Sequence, residues 1–141
     1  MNEADMEFLK KSLNNDNNVS INNLTTEKIK TIKKTILEEL PITKKAKAEL
    51  TKKLKEYRYV EEIPELHIGC YIRWISLKKP DQELKLTNGA ILCDVKINDS
   101  IILVCKNNIN RFNQINMAEN LIFQKLTDQE RVILYAMDHL S

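Results

Sequence analysis

The sequence predicts an α+β protein: a small antiparallel β barrel of the SH3-like kind, or a meander of about six strands, with an N-terminal helical hairpin and a C-terminal helix. Three observations carry this. Apolar residues recur at helical spacing as far as Tyr57, and after it in short alternating or continuous runs. Turn-forming residues break those later runs at short intervals. Thr127-Asp128-Gln129-Glu130 then reads as a capping box at the head of a final amphipathic stretch.

Residues 1–23 hold Met6, Leu9 and Leu13 at helical spacing with Phe8 beside them, then Asn14-Asn15-Asp16-Asn17-Asn18. Asparagine competes for backbone hydrogen bonds outside helices, so this part predicts a short helix followed by a flexible linker. Thr25 or Thr26 caps the next helix, whose apolar positions are Ile29, Ile32, Ile36 and Leu40, and Pro41 ends it. Thr43 caps another. There Ala46, Leu50, Leu54 and Tyr57 form one stripe, while Lys44, Lys45, Lys52 and Lys55 fall on the opposite side. Residues 24–59 are thereby expected to form a basic helical hairpin.

Residues 60–141 are expected to form the β domain and its closing helix. Cys70 to Leu77 is rich in β-branched and aromatic residues, and Lys79-Pro80-Asp81-Gln82 supplies the turn that ends it. Within Leu86-Thr87-Asn88-Gly89-Ala90-Ile91, Asn-Gly suits the positive φ angles of a type I′ hairpin. Ile91, Cys93, Val95 and Ile97 alternate with polar and apolar neighbours, and Asn98-Asp99-Ser100 turns the chain into Ile101 to Cys105. That continuous apolar run suits a strand buried on both faces. Phe112 to Met117 and Leu121 to Leu126 supply the last strands, and Ile133, Ala136, Met137 and Leu140 the apolar face of the final helix.

Several function classes drop out. A chain of 141 residues is one domain, or a small domain with an appended segment. Gly69 and Gly89 are its only glycines, so neither a dinucleotide fingerprint nor a phosphate-binding P-loop exists. The acidic start lacks an apolar core and no stretch approaches membrane-spanning length, so an intracellular protein without a membrane segment is expected. Cys70, Cys93 and Cys105 match neither zinc-ligand pairs nor a redox C-x-x-C, and are expected as reduced core residues with no metal or cofactor. His67 and His139 are the only imidazoles and have no H-E-x-x-H spacing, and no serine lies in a nucleophile elbow. No enzyme activity and no small-molecule substrate are expected.

The segments Leu66-His-Ile-Gly-Cys-Tyr-Ile-Arg-Trp-Ile75, Leu86-Thr-Asn-Gly-Ala-Ile91 and Asn120-Leu-Ile-Phe-Gln-Lys-Leu126 resemble small proteins encoded by giant DNA viruses of the mimivirus kind. The resemblance covers roughly residues 60 to 140, and the Ile, Lys and Asn-heavy composition suits their AT-rich genomes. It implies a host-cytoplasm setting, the viral factory, or the virion. It carries no functional residue across.

Charge is the strongest asymmetry. Residues 28–58 hold eleven basic residues against four acids, and residues 60–141 hold nine against eleven, so the net charge of +2 averages two unlike parts. Lys44, Lys45, Lys52, Lys55 and Arg58, with Arg73 and Arg111, are the candidate nucleic-acid contacts, because lysine suits non-specific phosphate binding. Strand alternation separates Tyr71 and Arg73 from Trp74; Trp74 is expected in the core, and Tyr71 with Arg73 is the expected partner position. The stripes Ile29, Ile32, Ile36, Leu40, Leu50 and Leu54 are the candidate surfaces for a protein partner or a homo-oligomer. The expected function is a non-enzymatic interaction or assembly protein, with polyanion binding as the alternative.

Overall fold

A computed structural model describes residues 2–21, 24–78 and 83–140. The expected turn at Lys79-Pro80-Asp81-Gln82 lies outside them. The chain divides into two compact units, Met1–Glu39 with Leu126–Ser141, and Leu40–Lys125.

The first unit holds α1 (Glu3–Asn14), a 3₁₀ turn (Asp16–Ile21), α2 (Thr26–Glu38) and α4 (Asp128–Leu140). Each helix starts where a polar side chain satisfies its orphan amides. Asn2 caps α1 and Thr25 caps α2, accepting from Lys28 N at 3.1 Å. Thr127 and Glu130 form the expected reciprocal box ahead of α4, both bonds at 3.0 Å. The core is Ile21, Ile29, Ile133 and Leu134, flanked by Leu9, Leu24, Leu126 and Met137. The Asn-rich run forms the 3₁₀ turn, and its asparagines are used: Asn15 and Asn18 Nδ2 donate to Gln129 Oε1 at 2.8 and 2.9 Å.

The second unit holds α3 (Lys44–Lys53) and six strands: β1 (Tyr57–Val60), β2 (Tyr71–Ser76), β3 (Ala90–Ile97), β4 (Ile101–Lys106), β5 (Phe112–Asn116) and β6 (Asn120–Lys125). They form one antiparallel sheet in the order β1-β6-β2-β3-β4-β5. The sheet is open, so the expected SH3-like barrel is not formed. Turn rhythm identifies strands but says nothing about whether the first and last of them pair. The sheet is nevertheless strongly curled. A 3₁₀ turn of three residues, Met117–Glu119, carries the chain from β5 to β6. In a flat sheet those strands would stand about 19 Å apart, four spacings, while four Cα steps reach at most about 15 Å.

Register assigns every strand residue to a face. The inner face carries Val60, Ile72, Ala90, Leu92, Leu103, Cys105, Ile115 and Ile122, all buried, with Trp74, Val95 and Ile101 packed on them. Burial pushes the Cys105 thiol up to about 12, and the Cys93 thiol adds to the rise. At one end of this face the cross-strand pair Arg58 and Gln124 is buried as well, at 2% and 0% exposure. Gln124 Oε1 accepts from His67 N at 2.8 Å and its Nε2 donates to Glu65 O at 2.9 Å. Arg58 Nη2 donates to the same carbonyl at 3.3 Å, and its Nη1 lies 3.7 Å from the Glu65 carboxylate. These bonds tie the segment between β1 and β2 to β6.

Three local expectations change. Tyr57 does not end the α3 stripe; it opens β1, because Leu54 closes α3 and the chain goes straight into pairing with β6. Asn88-Gly89 is not a hairpin turn. Leu86 bridges Ile75 while Ala90 pairs with Ile72, so residues 86–91 all run along β2, with one residue more on their side than on the β2 side. The extra residue is absorbed at a bulge where Gly89 takes φ +93°, and a Cβ there would stand 2.4 Å from the Ile72 carbonyl oxygen. Finally, β4 is buried on one face only. Leu103 and Cys105 face the core, while Ile102 and Val104 are half-buried on the outer face.

Candidate interaction surface

The outer face of β3, β4 and β5 is where the sheet leaves apolar surface uncovered. Register sets up three rows there. The first runs Tyr71–Ile91–Lys106–Phe112, the second Asp94–Val104–Gln114 and the third Lys96–Ile102–Asn116. Ile91 is 46% exposed and Phe112 63%. Lys106 Nζ stands 5.8 Å from the Phe112 ring centroid, a cation–π arrangement worth about 0.5–1 kcal/mol at an exposed site.

The backbone of β5 adds a second feature. Asn107 N donates to Arg111 O at 2.9 Å, which makes residues 107 and 111 a hydrogen-bonded pair. Antiparallel ladders alternate, so Asn113 and Ile115 also point their amides and carbonyls at β4, while those of Phe112 and Gln114 and the amide of Asn116 point away from it. The bond from Asn98 N to Ser100 O fixes the β3–β4 alternation independently and gives the same phase. Since β5 ends the strand order among the described residues, the outward groups face an edge that no described strand pairs. That edge carries no charge, proline or glycine.

The residues expected to bind partners are distributed differently. Ile29, Leu40, Leu50 and Leu54 are buried, Ile36 is half-buried, and Ile32 is 40% exposed. The apolar stripes therefore serve the protein's own packing, and Ile32 alone of the six is exposed. Tyr71 and Arg73 do lie on the outer face, opposite in direction to Trp74, but both clasp the bulge: Tyr71 Oη donates to Asn88 O at 2.9 Å and Arg73 Nε to Thr87 O at 2.8 Å. Lys44, Lys45, Lys52, Lys55 and Arg111 are exposed. Arg58 is not, and its guanidinium is withdrawn from any phosphate contact. Lys33, part of the basic count, is also buried; burial lowers its pKa, with Lys30 adding to the effect.

His67 is half-buried, its main-chain amide bonded to Gln124, and the ring of His139 lies against that of Tyr135, centroids 4.2 Å apart, in the last turns of α4. Among the described residues, no three of His, Cys, Asp and Glu converge so as to hold a metal ion. Nor is any helix among them long and apolar enough to cross a membrane. Ile91, Lys106, Gln114 and Asn116 were invisible as a group in the sequence, because only the β3–β4–β5 register brings them together. The one sequence signal was Phe112-Asn-Gln-Ile-Asn116, an uncharged strand in a chain with 30% charged residues. No protein-family model matches the chain, and neither does any curated protein or solved structure.

Proposed function

We propose that the protein is a non-enzymatic interaction or assembly module that takes a protein partner along the β5 edge and the outer face beside it. One observation carries this: an unpaired, uncharged edge strand adjoins the exposed Ile91 and Phe112. Edges of this kind add an extended strand from a partner, main-chain bonds giving affinity and the neighbouring side chains selectivity. On the resemblance to giant-virus proteins, the setting is the cytoplasmic viral factory or the virion. Selection of extended peptides from a random display library tests the reading. Binders are expected whose affinity, measured by calorimetry, falls at least about tenfold with Phe112→Asp, as for an interface hot spot. Failure to select any, or binders indifferent to Phe112→Asp, would count against it.

Polyanion binding is the second reading, favoured by the exposure of Lys44, Lys45, Lys52 and Lys55 on and after α3. It predicts a shift of single-stranded or duplex DNA that weakens with salt, by about 0.9 in log–log slope per phosphate engaged. No shift at low salt ends it.

A further inference from the structure

We propose that the occupant of the β5 edge is a second copy of this chain, the two β5 strands pairing antiparallel about a two-fold axis through Gln114; this rests on the reading of β5 as a docking edge. The phase of the ladder sets how two copies would pair. With outward groups on residues 112, 114 and 116, the axis falls on a residue whose own amide and carbonyl point across the seam, so the two Gln114 residues exchange both main-chain bonds. A two-fold contact requires one patch to be complementary to itself. Here Phe112 of each copy lies opposite Asn116 of the other, and Gln114 opposite Gln114, whose side-chain amides both donate and accept.

Charge does not oppose this occupant. The seam residues 112–116 are neutral, so no like charges meet on them; Arg111, next to the seam, lies opposite residue 117 of the other copy, and Lys106 and Asp94 are set back by one and two strands. The rows continue through the axis: Phe112 of one copy is followed by Asn116 and then Ile102 of the other, as it is by Lys106 and then Ile91 within its own chain. The product is a twelve-stranded sheet in which neither β5 edge remains.

Sedimentation across a concentration series is expected to show a species of twice the 16.5 kDa chain. Because Gln114 is exposed, charges can be placed on the axis without touching the core. Gln114→Glu and Gln114→Arg are each expected to sediment as monomers, since like charges oppose at the axis, and their equimolar mixture is expected to restore the dimer. Gln114→Cys is expected to form a disulfide-linked dimer on mild oxidation, the opposed Cα atoms being about 5.5 Å apart, whereas Asn113→Cys and the unaltered chain are not. A wild-type monomer, or a dimer that neither single charge disrupts, overturns the proposal. Hydrogen exchange then separates the two failures. Fast exchange of the Phe112 and Gln114 amides in such a monomer leaves the edge open for another partner, so only self-pairing fails; slow exchange means the edge is occupied within the chain, and the docking reading fails with it.

Discussion

At one end of the sheet β1 offers Tyr57–Val60, four residues of which three are buried, with the guanidinium of Arg58 turned inward against Glu65 and Gln124. At the other end β5 offers Phe112–Asn116, of which three are exposed, neutral throughout and with nothing turned inward but Ile115 and the exposed Asn113. A short strand with an inward-pointing charge is a recognised way to make an edge unattractive to other chains. The protein applies that device at β1 and omits it at β5. The lesson is that edge protection is local, and an edge without it, beside exposed apolar side chains, is the place to look for a partner.

The contrast yields a graded set of expectations. Arg58→Ala should have the largest effect, a loss of about 3–4 kcal/mol read from the urea midpoint, because it empties a buried volume and leaves the Glu65 carboxylate without its cation. A variant as stable as the parent would show that β1 is held by something else. Gly89→Ala should cost about 2–3 kcal/mol, since the left-handed φ and the Ile72 carbonyl both reject a Cβ where the β3 half of the sheet joins β2. Asp138, in the other unit, should matter less and only through pH. The Thr26 hydroxyl, and then the Thr26 amide, hold its carboxyl below the ordinary 3.8. A depressed carboxyl stabilises the fold above 3.8 and ceases to as pH falls through its lower folded value. Melting curves of Asp138→Asn should therefore lie slightly below the parent at neutral pH and converge with it in acid. Phe112→Ser should change stability by less than about 0.5 kcal/mol, because its ring is mostly in water already. A large loss there would mean that β5 is as built-in as β1, and the contrast would collapse.

Much of the fold was legible because its signals are local. Thr25, Thr43 and the Thr127–Glu130 box mark helix starts by side-chain chemistry that acts over three residues, and alternation along β2 sent Trp74 inward and Tyr71 outward. β1 was hidden because Tyr57 continues the spacing of Leu50 and Leu54, and its only ladder partner is 68 residues on, Tyr57 opposite Lys125. Asn88-Gly89 misled because a hairpin and a bulge ask for the same positive φ; only the long-range pairing with β2 distinguishes them. Arg58 read as a surface cation for want of its partners, Glu65 and Gln124. The candidate surface was the least legible part of all, since it depends on register across three strands and on the phase of a ladder, neither of which leaves a motif.

The place of β6 has a consequence for how the protein is made. It is the last of the six strands in chain order, yet it lies between β1 and β2. While residues 120–125 are still in the ribosome, β1 has no neighbour, Arg58 has no Gln124 across from it, and β2 stands as a second open edge beside that of β5. A sheet formed without β6 would thus leave β2 as well as β5 as an open edge and β1 without a neighbour, so a chain cut short before Asn120 is expected to aggregate more readily than the full one, as light scattering of the truncated chain would show.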